Sequence, residues 1–171
     1  IFFRVYFFPH VLMRLVHLLC YLCCWATLGH FLKPIPVFRT RIELANILND
    51  EGLKTGAELG VLKGSFSRSV LERWPKCEKY VMVDIWAKQR NYKDLANQPD
   101  SVQERLYNHM RNRVAKWIEG GIVQICRNFT SVCAHQYPDE SFDYVYLDAR
   151  HDYKGVTQDL ENWWPKVRSG G

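Results

Sequence analysis

Four short runs of apolar residues along the chain have the composition of buried β-strands. Each is rich in β-branched or aromatic residues and ends at a polar or glycine position, which is typical of strands in a covered sheet. The runs are the start of 56–67, then 79–84, 122–126 and 142–148. They predict four strands.

Helix-period patterns, with apolar residues recurring every three or four positions, lie between these runs. They cover 40–52, 66–74, a long stretch over 101–120, a short helix or turn over 130–137, and a last helix from about residue 153. Thr40 with Glu43 and Ser101 with Glu104 have capping-box spacing. One face of the last helix is shared by Val156, Leu160, Trp163 and Trp164. Because strands alternate with helices, we expect an α/β fold with a doubly wound, parallel, Rossmann-like sheet.

Asp148 ends the fourth predicted strand, and His151 follows in the turn before the last helix. The carboxyl ends of parallel strands line the ligand crevice of such sheets, so this carboxylate and imidazole are predicted to face that crevice. The alternative is that both are ordinary turn residues, with Asp152 capping the helix. The polar segment 85–100 is predicted to form a flexible flap over the site.

A glycine-containing turn follows the first predicted strand. Residues 56–67 read GAELGVLKGSFS, in which Glu58 precedes Gly60 and Gly64. Glycines allow a tight turn and close ligand approach, and the next helix offers its N-terminal amides, although the GK[ST] ending of a phosphate-binding loop is absent. Asp84 lies 24 residues after Gly60, close to the spacing of a ribose-binding carboxylate. The two motifs predict a nucleoside site, with a solvated strand-end Asp84 as the alternative.

The N-terminal residues 1–32 are strongly apolar and are predicted to lie outside the fold. Residues 15–32 carry no formal charge and are flanked by Arg14 and Lys33, which indicates a membrane anchor. The alternative is a signal peptide that starts at Met13. The chain is therefore predicted to be membrane-anchored or secretory, or cytoplasmic if this leader is an artefact of the gene start.

A linker and one domain are predicted for the remainder of the chain. Two prolines prevent a helix in 33–39, and the capping signal at Thr40 opens a domain over 40–171. The 171 residues, 47% of them apolar, suit one globular domain. Five of the 23 Lys and Arg residues precede the first acidic residue, which leaves 18 basic against 18 acidic residues. A neutral domain offers no basic patch, so no nucleic-acid partner is predicted.

The six cysteines lack the spacing of a zinc site. Three lie in the N-terminal segment, and the other three are Cys77, Cys126 and Cys133. These three are predicted to be free buried thiols, with a disulfide left open for a secreted protein.

These motifs resemble those of class I S-adenosylmethionine-dependent methyltransferases. More narrowly, they are similar to the methyltransferase domain family 24 type, which contains the macrolide-sugar O-methyltransferases. The matching segments are AELGVLKGSFS at 57–67, VDIW at 83–86 and LDARHDYKGVTQDLENWWPKVRSGG at 147–171. The resemblance implies methyl transfer to an oxygen of a small molecule or sugar, with the assistance of Mg²⁺.

The same resemblance assigns roles to the matching residues. The cofactor S-adenosylmethionine would be bound by Glu58, Gly60, Gly64 and Asp84. Asp148 would be a ligand of the divalent metal and His151 the general base. A Mg²⁺ held there would lower the pKa of an acceptor hydroxyl, whose proton His151 would take.

Three positions depart from the family pattern. Arg150 places a positive charge beside the proposed metal, and it is predicted to lower the pKa of His151. The third strand ends in the sequence CRNF at 126–129 instead of an acidic or Gly-Asp-Ser-like turn. The chain stops at Gly171, where a fifth strand and further metal carboxylates are expected. The domain is therefore predicted to be incomplete, with an exposed apolar edge at 144–147.

Two other classes of function stay open. A catalytically silent cofactor-binding or membrane-tethered interaction domain is favoured by Arg150 and by the missing carboxylates. A nicotinamide-dependent oxidoreductase is disfavoured because no full G-x-G-x-x-G motif is present.

Overall fold

Four parallel strands form one sheet in the computed structural model, which describes residues 37–171. The strands are β1 (Thr55–Leu59), β2 (Lys79–Asp84), β3 (Val123–Arg127) and β4 (Tyr144–Leu147). Their order across the sheet is β3-β2-β1-β4, and all three neighbouring pairs are parallel. The chain builds outward from β1 on one side and then returns to its other side, which creates a switch point between β1 and β4.

Helices alternate with these strands along the chain. They are α1 (Leu44–Asp50), α2 (Ser65–Arg73), α3 (Asp100–Arg113), α4 (Ala115–Glu119), α5 (Thr130–Ala134) and α6 (Tyr153–Trp163). Single turns of 3-10 helix occur at Arg41–Glu43 and Trp164–Lys166. The predicted α/β class and parallel Rossmann-like sheet are confirmed.

The core lies on both faces of the sheet, because successive side chains of a strand point to opposite sides. Tyr80 of β2 belongs to a buried cluster that includes Met110 of α3. Its neighbour Val81 belongs to a second cluster that includes Trp163 of α6. The central strands therefore form a fixed base for the loops at their carboxyl ends.

The long helix predicted to end at Gly120 is two helices, because the backbone leaves the helical region at Val114 (φ −112°) between α3 and α4. The predicted capping box at its start is also wrong. Helix α3 begins at Asp100 without a side-chain cap, and Glu104 forms a salt bridge with Arg127 at 2.5 Å instead.

Apolar side chains are exposed on α6 and β4. Of the four residues predicted to share a face of α6, only Trp163 is buried, whereas Val156, Leu160 and Trp164 are 41%, 45% and 74% exposed. Within the described part of the chain β4 pairs with β1 alone, and Leu147 is exposed at that edge. An apolar outer surface therefore runs along this side of the fold.

Two of the three cysteines predicted to be free thiols form a disulfide. Cys126 ends the buried part of β3 and Cys133 lies on α5, so their Cα atoms are 6.1 Å apart and the sulfur atoms are bonded. The turn between β3 and α5 brings these two cysteines together, although their spacing in the sequence did not predict a disulfide. Cys77 is a free buried thiol, as predicted.

The predicted leader at 1–32 lies outside the described residues. Within 37–171, no helix is both long and apolar enough to cross a bilayer.

Candidate active site

A cleft of about 590 Å³ lies at the carboxyl ends of the strands, where open α/β sheets bind ligands. Its volume falls in the range of small-molecule sites. Every strand contributes to its walls. The residues are Glu58 on β1 and Gly60 after it, Asp84 at the end of β2 and Ile85 after it, Asn128 to Ser131 after β3, and Asp148 to His151 after β4. The crevice predicted from the strand ends is therefore present.

Glu58 is a buried acid on β1 that reaches the wall of the cleft. Its side chain is 2% exposed, and Oε2 accepts a hydrogen bond from the Tyr80 hydroxyl at 2.9 Å. Burial raises the pKa of Glu58 to about 8, because the low-dielectric surroundings penalise the charged form. Without a ligand, Glu58 is therefore mostly protonated at neutral pH, and a cation bound beside it would favour its ionised form.

The glycine turn after β1 is shaped by backbone contacts. Gly60 has φ +88°, and a Cβ atom there would lie 2.2 Å from the backbone oxygen of Asp148. Only glycine allows the turn after β1 and the turn after β4 to approach this closely. Gly64 has φ +70° and packs against Met110 of α3, away from the cleft wall. Of the two glycines of this turn, Gly60 therefore lines the cleft, whereas Gly64 packs against α3.

Asp84 lies at the cleft, and its carboxylate also holds the surrounding backbone together. Oδ2 accepts hydrogen bonds from the amides of Val61 and Leu62 at 2.9 and 2.8 Å, and Oδ1 accepts one from Trp86 at 3.1 Å. Leu62 and Trp86 both adopt positive φ angles, of 55° and 41°. Asp84 therefore fixes two unusual backbone turns, a role that the spacing did not reveal. Its predicted contact with ribose stays a prediction.

The segment predicted as a flap forms one wall of the cleft and is tied down by its own side chains. Trp86, expected to be part of the flap, is buried in the core, and its Nε1 donates to the Leu62 carbonyl at 2.7 Å. The Asn97 amide bridges Gln89 and the carbonyl of Tyr92. These bonds give the segment a defined shape over the site.

His151 lies between two carboxylates. Its Nε2 is 3.3 Å from Oδ1 of Asp148, and its Nδ1 is 3.3 Å from Oδ2 of Asp94. The hydrogen bond to Asp148 is the main cause of a raised pKa at His151, and Asp94 adds to it. Tyr92 also accepts a hydrogen bond from the His151 backbone amide at 3.2 Å. The predicted pairing of Asp148 with His151 is thus present as a geometric contact.

The predicted effect of Arg150 on His151 is wrong. Arg150 bonds to Asp152 and stacks over the ring of Tyr92, with 4.5 Å between its Cζ atom and the ring centre. Asp152 therefore compensates the charge of Arg150. The pKa of the His151 imidazole is raised by the neighbouring carboxylates of Asp148 and Asp94, whereas a lowered pKa was predicted. Asp152 also caps α6 by accepting from the Gly155 amide at 2.7 Å, as predicted.

Arg41 is a cleft residue that no sequence motif indicated. It comes from the 3-10 turn Arg41–Glu43, and its Nη1 lies 2.8 Å from Oδ2 of Asp148 and 3.2 Å from the hydroxyl of Tyr146. Its guanidinium also lies over the rings of Phe66 and Tyr146. More than 100 residues separate Arg41 from Asp148, so only the fold brings them together.

The side chains around Asp148 do not fit the predicted Mg²⁺. Mg²⁺ prefers an octahedral shell of oxygen atoms. The two oxygens of Asp148 face nitrogen atoms of Arg41 and His151, and the other nearby acid, Asp94, lies beyond the imidazole. Within residues 37–171 no group of three or more His, Cys, Asp or Glu side chains could hold a metal ion.

The wall after β3 is fixed by α5 and α6. Thr130 donates its hydroxyl hydrogen to the buried carboxylate of Asp159 at 2.5 Å, and its carbonyl accepts from Trp163 at 3.1 Å. The disulfide between Cys126 and Cys133 spans the same turn. Asn128 and Phe129, which belong to the turn that departs from the family pattern, therefore lie on a cleft wall that these contacts hold in place.

The strand order and the cleft at the switch point are those of a Rossmann-like sheet. Solved structures with this fold include an O-methyltransferase from Bacillus cereus in complex with SAH, at a TM-score of 0.55 and 15% identity over 85% of this chain and 59% of that chain. A protein from Staphylococcus aureus described as a caffeoyl-CoA O-methyltransferase gives a TM-score of 0.53 and 12% identity over 91% of this chain and 68% of that one. Spermidine synthase from Thermotoga maritima gives a TM-score of 0.50 and 12% identity over 74% of this chain and 40% of that one.

The family follows from the sequence itself. A family model described as a methyltransferase domain matches residues 57–171, so the chain belongs to that methyltransferase family. No curated protein matches the chain at a significant level. The chain spans 40% and 59% of the lengths of the spermidine synthase and the Bacillus cereus enzyme.

Proposed function

We propose that this protein transfers a methyl group from S-adenosylmethionine to an oxygen of a small molecule or sugar. The observation that carries the proposal is the contact between Gly60 and Asp148. Because these two turns touch, the buried acid Glu58 and the imidazole of His151 open onto one cleft. A cofactor held by the first turn would then lie beside an acceptor held by the second.

Three residues suit the binding of the cofactor. Glu58 would pair with the ammonium group of its methionine part, in a site where burial strengthens the attraction. The turn at Gly60 leaves room for close approach to the backbone, and Asp84 would accept from ribose hydroxyls. S-Adenosylmethionine, when bound, supplies an electrophilic methyl group.

His151 is the proposed general base. A hydroxyl of the acceptor loses its proton as the new bond to carbon forms, and an imidazole nitrogen at the cleft is suited to take that proton. One ring nitrogen would leave its carboxylate contact to take the proton, and the carboxylate that still faces the other nitrogen would stabilise the resulting imidazolium. No step is assigned to Mg²⁺, because the donors around Asp148 do not fit it.

Calorimetric titration of the full chain with S-adenosylmethionine tests the cofactor assignment. We expect binding that Glu58→Gln weakens by about tenfold or more, since a charge-assisted contact is lost. Glu72→Gln, at an exposed acid of α2, should leave binding unchanged. NAD should not bind. Equal affinity in wild type and Glu58→Gln would remove Glu58 from the site.

A catalytically silent cofactor-binding domain is the second candidate, and the engagement of Asp148 by Arg41 favours it. The two candidates differ in their product. Incubation with radiolabelled S-adenosylmethionine and a panel of sugars and phenolic alcohols should give labelled product from an enzyme. Cofactor binding without any labelled product would support the silent domain.

A further inference from the structure

Arg41 lies where a divalent cation would approach Asp148. Nη1 of Arg41 is 2.8 Å from Oδ2 of Asp148, and the other carboxylate oxygen is 3.3 Å from Nε2 of His151. A metal ion that bound either oxygen would have to share it with one of these nitrogens, and at Oδ2 it would meet the positive charge of the Arg41 guanidinium. The position already holds a positive charge.

Several contacts hold the guanidinium in this place. Its Cζ atom lies 4.8 Å from the ring centre of Phe66 and 5.9 Å from that of Tyr146, and ring faces attract cations. Phe66 belongs to α2 and Tyr146 to β4, so both rings are carried by regular secondary structure. The turn that carries Arg41 is itself fixed, because the carboxylate of Glu43 accepts from the Arg39 amide at 2.9 Å.

We propose that Arg41 is the resident cation of this site, that it positions Asp148, and that methyl transfer here needs no divalent metal. The inference rests on the methyl transfer proposed above. A guanidinium supplies one charge and directional N–H donors, whereas Mg²⁺ supplies two charges and demands an octahedral shell. Of the three guanidinium nitrogens of Arg41, Nη1 is the one with hydrogen-bond partners among the described residues, namely Tyr146 and Asp148.

Mn²⁺ is a suitable probe, because the free ion gives an electron paramagnetic resonance signal that is lost on binding. Full-length wild type and Asp148→Asn are titrated with Mn²⁺ alone. We expect the same concentration of free Mn²⁺ with both proteins. Binding to wild type that Asp148→Asn abolishes would overturn the proposal.

Two substitutions separate the charge of Arg41 from its packing. Arg41→Met keeps an apolar stem against Phe66 and Tyr146 but removes the charge, so its affinity for Mn²⁺ should be at least roughly fivefold above the upper limit that the wild-type titration allows. Asp148→Asn in the same chain should cancel that gain. Arg41→Lys restores a positive charge and should behave as wild type. No gain of Mn²⁺ binding in Arg41→Met would show that Arg41 does not exclude the metal.

Arg68→Met is the matched control. The side chain of Arg68 is 54% exposed, as is that of Arg41, and it pairs with Glu72 on α2 outside the cleft. Arg68→Met should leave Mn²⁺ binding unchanged. If it increased Mn²⁺ binding as much as Arg41→Met does, the increase would come from the lower net charge of the protein, and the proposal would be overturned. Thermal melts of each variant verify folding.

Binding of S-adenosylmethionine is measured on the same preparations. Its absence would refute the proposed function, while the Mn²⁺ titration, which contains no cofactor, still decides the role of Arg41. Cofactor binding together with Asp148-dependent Mn²⁺ binding would refute the inference on Arg41 alone.

Discussion

Cofactor affinity should rise with pH because Glu58 must ionise before it can pair with an ammonium group. Burial raises its pKa to about 8 in the empty cleft. An acid two units below its pKa is about 1% ionised, and one unit below it about 10% ionised. Between pH 6 and pH 7 the affinity for S-adenosylmethionine should therefore increase close to tenfold, or by about 1.4 kcal/mol.

Calorimetry over this pH range measures the effect directly. Binding at pH 6 should also release close to one proton per site, which appears as a dependence of the measured heat on the ionisation enthalpy of the buffer. Glu58→Gln should bind weakly, with little change in affinity over the same range, and Glu72→Gln should follow wild type. The same affinity for wild type at pH 6 and pH 7 would refute the reasoning.

The stability of the empty protein should show the opposite trend. Because the pKa of Glu58 is raised from 4.5 to about 8 in the folded state, its proton stabilises the fold fully below pH 4.5. That contribution is lost as pH rises towards 8, at about 1.4 kcal/mol per pH unit. The melting temperature of wild type should therefore fall relative to Glu58→Gln between pH 5 and pH 8. A constant difference over this range would place the pKa of Glu58 near its usual value.

Three further outcomes are expected. His151→Ala should lower turnover by roughly 10² to 10⁴ with cofactor binding intact, as measured by formation of the demethylated cofactor, while His135→Ala outside the cleft should have no effect. Cys133→Ser should lower the free energy of unfolding by about 2 kcal/mol, and a reducing agent should reproduce this in wild type. Asp143→Ala should cost about 3 kcal/mol in denaturant unfolding, since this buried carboxylate accepts from two backbone amides and from the Thr55 hydroxyl; a loss below 1 kcal/mol would contradict that role.

The four strands were accessible from the sequence because each is a short run rich in apolar residues, and this signal is strongest in β2. Both faces of β2 are covered, so every residue from Tyr80 to Val83 is buried and apolar, which is a strand pattern without polar alternation. The last helix was harder to interpret. Gly155 and Asp159 are buried there because a small residue and a hydrogen-bonded acid suit the space beside the cleft, whereas Val156 and Leu160 are exposed.

The candidate site was accessible from the sequence where a candidate residue lies at or near the carboxyl end of a strand, as Glu58, Asp84 and Asp148 do. Arg41 and Asp94 were missed because they reach the site from distant segments without a periodic or motif signal. The disulfide was missed for a related reason, since Cys126 and Cys133 are scattered in sequence and meet only through the turn after β3.

The carboxylate of Asp84 has a dynamic consequence. It accepts the amides of Val61 and Leu62 from one loop and of Trp86 from another, so none of the three bonds can open for long without loosening the others. Hydrogen exchange at these three amides should therefore proceed as one cooperative unit. A ligand that contacts only the loop after β1 should then also slow hydrogen exchange at the Trp86 amide, which lies in the segment after β2.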